Sequence, residues 1–258
     1  MASLPPWLPC FPSVNNLRYH RLMRFLVTAG NTRERIDDVR DWGNIFTGNT
    51  GFGIARALAG VGTVDLLSSN RQHLSEAGAA RLTHPMIGHA FTSHAELRDA
   101  LQALMNSQSY DAVFMVAAVS DYKPAGAFVV LSTEPTGTPG EQRWIVRDVH
   151  AGKIKSNHDT IAIVGRQTEK LVDLFRSAWG FKGLLVKFKL EVGLDDAQLI
   201  EVGQRSRRAS GAEYLVANTL SMVEGGRAGA YLLSDMGNEW VPRQDLAGRL
   251  VELVAPGT

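Results

Sequence analysis

Short apolar runs alternate along the chain with longer stretches whose apolar positions recur every three or four residues. Phe25-Leu26-Val27-Thr28 predicts a buried strand. From Gly48 to Val61, the side chains of Ile54, Leu58 and Val61 fall on one face, which predicts a helix. Val64-Asp65-Leu66-Leu67 predicts a second strand, and Ala95 to Ser107 a helix with Leu97, Leu101 and Leu104 in register. Ala112 to Val119 is apolar on both faces, as a strand in the middle of a parallel sheet would be. Leu184 to Leu190 reads as a strand, Asp195 to Ser210 as a helix with acidic residues in its first turn, and Tyr214 to Ala217 as another strand. Tyr231-Leu232-Leu233 and Glu239-Trp240-Val241 predict a terminal antiparallel pair, and Leu246 to Val254 a closing helix. Strand–helix alternation of this kind predicts a three-layer α/β sandwich on a mostly parallel sheet.

One region breaks the rhythm. Phe128-Val129-Val130-Leu131 and Arg143-Trp144-Ile145-Val146 flank a turn-forming segment from Glu134 to Gly140, which predicts an inserted β-hairpin. Residues 1–22, rich in proline, read as an irregular arm suited to docking on a partner subunit, and 23–258 as a single α/β domain in which 127–157 form hairpin and flap. Lys plus Arg number 27 against 26 for Asp plus Glu, a net charge of +1, which argues against general binding to nucleic acid. Hydrophobic residues make up 45% of the chain, enough for a sizeable core. The longest apolar run, Ala112 to Val119, is far short of the ~18 residues a membrane span needs. The N-terminus lacks a basic region and is interrupted by Pro5-Pro6, unlike a secretory signal. The single cysteine, Cys10, permits no intrachain disulfide, and the expected compartment is the reducing cytoplasm. His73, His84, His89, His94 and His150 show no metal-ligand spacing, so no resident metal site is expected.

Thr47-Gly48-Asn49-Thr50-Gly51-Phe52-Gly53 opens the first long helix. Glycines at a helix N-terminus can cradle a phosphate, and they can equally serve close helix–strand packing. No Lys-Ser or Lys-Thr follows, which excludes a Walker A loop. The run is similar to the Thr-Gly-x-x-x-Gly-x-Gly of short-chain NAD(P)-dependent oxidoreductases, where Asn70-Arg71 would select a phosphorylated dinucleotide. Against that rival, the spacing is one residue short and the glycines do not directly follow the first strand. None of the five tyrosines is followed four positions on by lysine, as the acid–base pair of those enzymes requires.

A long polar loop, Gly30 to Asn44, joins the first strand to the glycines and leaves them at the carboxyl end of that strand, where open α/β sheets bind ligands. A loop of this length inside a compact domain favours function over a solvated connector. Thr28 to Glu34, Asp37 to Arg40 and Asn44 to Gly51 match the Thr-Ala-Gly-x-Thr-Arg-Glu, Asp-x-Val-Arg and Asn-x-x-x-Gly-x-x-Gly of phosphopantothenoylcysteine synthetases. Further on, Ala117-Ala118-Val119-Ser120-Asp121-Tyr122, Lys153-Ile154-Lys155-Ser156, Phe188-Lys189-Leu190-Glu191 and Val216-Ala217-Asn218 follow the family's order. The chain therefore resembles that family from residue 25 to about 220.

The resemblance implies a Rossmann-like homodimer that activates the carboxylate of phosphopantothenate with CTP or ATP and Mg²⁺, then joins it to cysteine. In many bacteria this activity is fused to a flavin-dependent decarboxylase, for which there is no room here, so no flavin is expected. Carried over by motif, Asn44, Lys153 and Arg40 would be catalytic. Gly30, Thr47, Gly48, Gly51, Ala117, Ala118, Asp121, Lys155 and Phe188 would bind the nucleotide. Each has a plainer reading: Asn44 as a turn cap, Arg40 as a surface arginine, Asp121 as a loop cap, Phe188 as core, and the Lys153 segment as solvated charge. Lys187 and Lys189 alternate with Val186, Phe188 and Leu190, so they are expected to reach a cleft or an edge. Arg205, Arg207 and Arg208 are read either as phosphate contacts or as a solvated face. Three departures stand out: Asn49 in place of a bacterial lysine, the long interval between Asp121 and Lys153, and Ser156 where a third lysine is usual. CTP and ATP both remain open, as does a relative that binds a nucleotide without ligating.

Overall fold

The computed structural model describes residues 22–149, 152–224 and 228–256. The chain opens with β1 (Arg24–Ala29), then a small antiparallel pair, β2 (Arg33–Arg35) and β3 (Asp41–Gly43). Helix α1 (Asn49–Leu58), β4 (Thr63–Ser68), α2 (Arg71–Ala79), β5 (Met86–Ala90), α3 (His94–Ser107) and β6 (Ala112–Met115) follow. An arm of β7 (Tyr122–Pro135), β8 (Gln142–Asp148) and β9 (Ile161–Gln167) precedes α4 (Leu171–Ser177) and β10 (Leu184–Glu191). Then come α5 (Asp196–Ala209), β11 (Tyr214–Thr219), α6 (Leu220–Glu224), β12 (Gly229–Ser234), β13 (Gly237–Pro242) and α7 (Leu246–Val254). The expected proline-rich arm lies outside the described residues, save Leu22.

The main sheet is eight-stranded, in the order β13-β12-β11-β10-β6-β1-β4-β5. Strands β11 through β5 run parallel, and β12 and β13 are antiparallel, with Tyr231 opposite Trp240 as the sequence predicts. Alternation along each strand sends side chains to two cores. Phe25, Val27, Phe114 and Val186 meet Ile54 and Leu58 of α1 and Leu250 of α7 on one face. Leu26, Val113 and Leu185 meet Leu97 and Leu101 of α3 and Phe175 of α4 on the other. A third cluster sets Leu199 of α5 on Leu215 and Leu233. The three-layer sandwich is thus formed as the sequence predicts. Helix starts are fixed locally: the Ser93 hydroxyl accepts from Glu96 N–H, and Asp195 and Gln198 form a reciprocal capping box on α5.

Two expectations need correction. The stretch from Gly30 to Asn44, read as one long polar loop, contains the antiparallel pair of β2 and β3. The central strand ends at Met115 and not at Val119, because the Val116 and Ala117 N–H groups turn to donate to the Thr28 hydroxyl at 3.0 and 3.1 Å. The inserted hairpin forms as expected, with Val130 opposite Val146, and β9 adds a third strand on its other side. Only Val129 of β7 is buried, so the arm draws little order from a core.

One buried polar cluster was not foreseen. Asp65, 1% exposed, accepts from Arg24 at 2.7 Å, Tyr110 at 2.9 Å and His89 at 2.9 Å. Burial alone would raise its carboxyl, but bonds from His89, Arg24 and Tyr110 hold it below the usual range.

Candidate functional site

The site grows from the reversal of strand order between β1 and β6. Their carboxyl ends lie side by side, with Thr28 in register with Met115, and the chain departs from them in opposite directions across the sheet. That leaves a crevice above the sheet, the usual ligand position in open α/β folds. The loops that leave the two strands are stitched together. Ala118 N–H donates to Gly30 O at 2.9 Å, Thr32 N–H to Ala118 O at 3.1 Å, and Ser120 N–H to the Thr32 hydroxyl at 2.8 Å. Ala117 and Ala118 thus spend their N–H groups on the protein itself, forming a fixed floor.

Asn44 leaves β3 directly over this floor. Its side-chain amide donates to Ala118 O at 3.1 Å, and its own carbonyl accepts from the Asn31 side chain. Asn31 N–H is in turn held by the Ser69 hydroxyl at 2.9 Å. Asn44 is exposed, so its amide is available to a ligand.

The start of α1 packs on the same loops. Gly48, the residue before the helix, has φ of 85°, and a Cβ there would fall 2.1 Å from Gly30 N. A Cβ on Gly51 would meet Thr28 O at 2.8 Å. These two glycines therefore serve close helix–strand packing. No side chain caps the helix, so its first N–H groups are left for a ligand or water. Gly48→Ala is expected to destabilise the fold by on the order of 3 kcal/mol, from backbone strain and overlap together. An unshifted urea midpoint would contradict this packing.

Beneath that start, His73 stacks on Phe52 with centroids 4.4 Å apart. Its ring nitrogens contact the Ser68 hydroxyl at 3.4 Å, Asn49 Oδ1 at 3.1 Å and the Asn70 amide at 3.3 Å. Asn70 also donates to Thr47 O at 3.2 Å. Burial pushes the His73 imidazole below its ordinary value, favouring the neutral ring that this network needs. No pattern in the sequence pointed to His73, a lone histidine on a polar helix.

The lysine segment is brought to the β2–β3 hairpin. Asp37, 1% exposed, accepts from Val39 N–H at 2.9 Å, Ile154 N–H at 3.0 Å and Arg40 Nη1 at 2.5 Å. Asp38 N–H donates to Gly152 O at 2.7 Å, and Arg40 Nη1 also reaches Ile154 O at 3.4 Å. Lys153 and Lys155 stay exposed and, with Ser156 and Asn157, line a groove of about 380 Å³. Arg40 is 43% exposed on its side chain. Asp121 is exposed at the root of the arm, where its carbonyl accepts from Thr168 N–H at 2.9 Å.

Other expected residues sit elsewhere. Phe188 is half-buried and packs against the core shared with α1 and α7. Lys189 pairs with Glu191 at 2.7 Å. Lys187 reaches neither cleft nor edge. It is buried under α5, where its amine donates to Ser206 O at 3.1 Å and to the Ser210 hydroxyl at 2.5 Å, closing the helix end from below. Arg207 is likewise no phosphate ligand: it is 2% exposed, bonded to Gln204, Ala212 O and Asp235. Arg205 and Arg208 are exposed. Burial pushes the Lys187 amine down to about 8 from an ordinary 10.5, with Lys170 and Lys189 adding to the shift and Asp173 opposing it. Between those values the unfolded chain holds a proton that the native chain has released. Stability should therefore rise with pH across that window, by on the order of 3 kcal/mol in full. Relative to Lys187→Met, the parent should gain that stability in urea melts between pH 7.5 and 10.5, and a constant difference would contradict the burial.

Among the described residues no group of three or more His, Cys, Asp or Glu side chains is placed to hold a metal ion, and no helix is long and apolar enough to cross a membrane.

Comparison with known proteins bears on the fold and on the first half of the chain. Residues 21–128 match the DNA/pantothenate metabolism flavoprotein C-terminal domain. The coenzyme A biosynthesis bifunctional protein CoaBC of Mycolicibacterium smegmatis is 32% identical over 139 residues, 53% of this chain and 32% of that protein. The CoaBC protein of Thermococcus kodakarensis is 27% identical over 198 residues, 76% of this chain and 41% of that one. The chain thus spans 32% to 41% of the length of these relatives. The DNA/pantothenate metabolism flavoprotein of Streptococcus pneumoniae has the same fold, with a TM-score of 0.71, 24% identity, and coverage of 90% of this chain and 98% of that one. A Cab2 variant solved in complex with phosphopantothenate-cysteine shares the fold at a TM-score of 0.63, 15% identity, and coverage of 90% and 85%. The motifs between Thr28 and Asp121 fall within the matched stretch: over residues 21–128 the chain is similar to the DNA/pantothenate metabolism flavoprotein C-terminal domain, and the described chain shares the fold of the Streptococcus pneumoniae protein.

Proposed function

We propose that this chain ligates phosphopantothenate to cysteine through an acyl-nucleotidylate in coenzyme A biosynthesis. The observation that carries this reading is Asn44, held over the β1/β6 crevice by Ala118 and Asn31, beside the uncapped start of α1. A carboxylate is a poor electrophile, so it must first gain a leaving group. Its oxygen attacks the α-phosphorus of a nucleoside triphosphate, and the bond to the bridging oxygen breaks to release pyrophosphate. The cysteine amine then adds to the acyl carbon, the amine proton is lost, and the nucleoside monophosphate leaves with the C–O electron pair.

Each step concentrates negative charge in one cleft, where cations and oriented dipoles act most strongly. Asn44 orients the acyl carbonyl without repelling the anhydride. Lys153 and Lys155 neutralise developing phosphate charge and close over the intermediate, excluding the water that would hydrolyse it. Arg40, anchored on Asp37, presents its exposed side to an anionic group. The α1 start with Thr47 and Gly48 faces a phosphate, Gly30, Gly51, Ala117 and Ala118 shape the floor, and Asp121 contacts the ribose or base. The donor set near the crevice is cationic and amide-rich, which suits Mg²⁺ arriving as the counter-ion of CTP or ATP. We also place the protein in the cytoplasm as a homodimer in which residues 23–258 form one domain. The exposed Leu131, Trp144, Ile145 and Val146 of the arm support the pairing of two copies. A monomer by light scattering at micromolar concentration would contradict that pairing.

The deciding experiment incubates the protein with phosphopantothenate, cysteine and each nucleoside triphosphate and follows pyrophosphate and phosphopantothenoylcysteine. Both products are expected with CTP or ATP. NADPH binding without pyrophosphate would favour the oxidoreductase, and nucleotide binding without turnover a non-ligating relative.

A further inference from the structure

Lys153 lies between two anchored neighbours. Gly152 O accepts from Asp38 N–H at 2.7 Å, and Ile154 N–H donates to Asp37 at 3.0 Å. Ile154 itself is 2% exposed, whereas Lys153 and Lys155 on either side of it are exposed. A Cβ on Gly152 would fall 2.5 Å from Asp38 Oδ2, so the Asp38 side chain also lies against Gly152. Residues 152–160 contain no helix or strand, so ladder bonds do not set the course of this stretch. Its position depends on the hairpin turn that faces it.

That turn is built around one carboxylate. Asp37 is nearly inaccessible, and both oxygens are occupied: Oδ1 by Val39 N–H, and Oδ2 by Ile154 N–H and Arg40. Burial would raise its carboxyl, but the Ile154 and Val39 N–H groups and the Arg40 guanidinium hold it below the usual range, so it is charged in neutral solution. Hydrogen bonds to a charged acceptor are the stronger kind, and removing one partner of a buried pair leaves the other unsatisfied. The bond from Ile154, together with the Asp38 N–H bond to Gly152 O, therefore ties the lysine segment to a turn that is itself locked by Arg40.

We propose that Asp37 is a positioning residue that latches the Lys153 segment to the β2–β3 hairpin and so sets where the Lys153 amine meets the reacting phosphate. The inference rests on the ligase reading for its kinetic consequence but not for the latch itself. It also gives Arg40 a second task. Its guanidinium bridges Asp37 and Ile154 O, so it secures the latch as well as facing an anion.

The test compares the parent chain with Asp37→Ala and the milder Asp37→Asn, whose side-chain oxygen still accepts from Ile154. Two readouts need no substrate: hydrogen exchange of the 152–156 backbone, and limited trypsin cleavage after Lys153 and Lys155. Exchange at Ile154 and cleavage at both lysines should accelerate at least about tenfold in Asp37→Ala and less in Asp37→Asn. Pyrophosphate release should fall about tenfold in kcat, with KM for phosphopantothenate little changed. The double variant Asp37→Ala with Lys153→Gln should be no slower than Lys153→Gln alone, because one residue acts through the other. Unchanged exchange and cleavage in both variants would overturn the latch, whatever the activity. Losses that add in the double variant would overturn the positioning role. A parent chain that releases no pyrophosphate would overturn the ligase reading while leaving the exchange result to decide the latch.

Discussion

Asn44→Asp should fold normally and lose amide formation by about a hundredfold or more, the scale of removing an oriented donor from a site of developing charge. The substitution changes one group. Where the side-chain amide donates to Ala118 O at 3.1 Å, a carboxylate would present a second acceptor. The side chain would then turn away from the floor and place a full negative charge beside an anhydride that already carries phosphate charge. Repulsion rises in the transition state for amine attack, where the acyl oxygen becomes anionic. Asn44 is exposed, so stability should change by no more than about 0.5 kcal/mol. Its backbone carbonyl still accepts from Asn31, which keeps the loop in place. The measurement is product mass against pyrophosphate: release without matching phosphopantothenoylcysteine locates the defect in the second half-reaction. Amide synthesis at the parent rate would remove Asn44 from the site.

Lys153→Gln should lower pyrophosphate release by about a hundredfold, with the thermal midpoint unchanged. Glutamine keeps much of the length and the polarity and removes only the charge. An exposed lysine contributes little to folding. Near a pentavalent phosphorus in a closed site, however, the same charge is worth a few kcal/mol. The neighbours that hold the segment, Gly152 O and Ile154 N–H, use backbone atoms and are untouched by the change. Turnover at the parent rate under saturating substrates would reduce Lys153 to a solvated charge. The two variants together separate the half-reactions: one withholds the charge that assists activation, the other misplaces the acyl group for aminolysis.

The parts of the fold legible in the sequence are those where burial leaves a periodic trace. Strand β1 buries Phe25 through Ala29, and β10 and β11 show the same dense apolar runs. Helix α2 left no such trace, because only His73 and Ala77 are buried along it. Helix α4 is a single short turn-rich segment, Leu171–Ser177, and β5 is an edge strand with only Met86 buried. The pair β2–β3 has no apolar alternation, and its place is set by tertiary bonds that Arg33 and Asp38 N–H donate to the Thr92 and Gly152 carbonyls. Alternation along β10 correctly put Lys187 and Phe188 on opposite faces. It could not reveal that the face carrying Lys187 is covered by α5, since a helix C-terminus that accepts a lysine amine has no signature at a distance in sequence. In the site, the motifs marked Asn44, Lys153 and Asp37 to Arg40. The contacts that join the Asp37–Arg40 turn to the lysine segment, Asp37 to Ile154 and Asp38 to Gly152, span more than a hundred residues and appear only in three dimensions.

The far end of the arm has a practical consequence. Glycines 137 and 140 have positive φ, and a Cβ on either would meet nothing within 4 Å. The turn they punctuate joins β7 to β8 with neither strand's ladder extending into it. Loop closure there becomes only about 0.6 kcal/mol harder for each doubling of length. Natural variants of this chain should therefore differ in length at this tip more freely than at any crevice loop. For the same reason, a fluorophore or epitope grafted between Pro135 and Gly140 would sit at the tip of the β7–β8 ribbon, outside the main sheet. It would test whether a second copy approaches the arm, with the loops at the strand ends left unaltered.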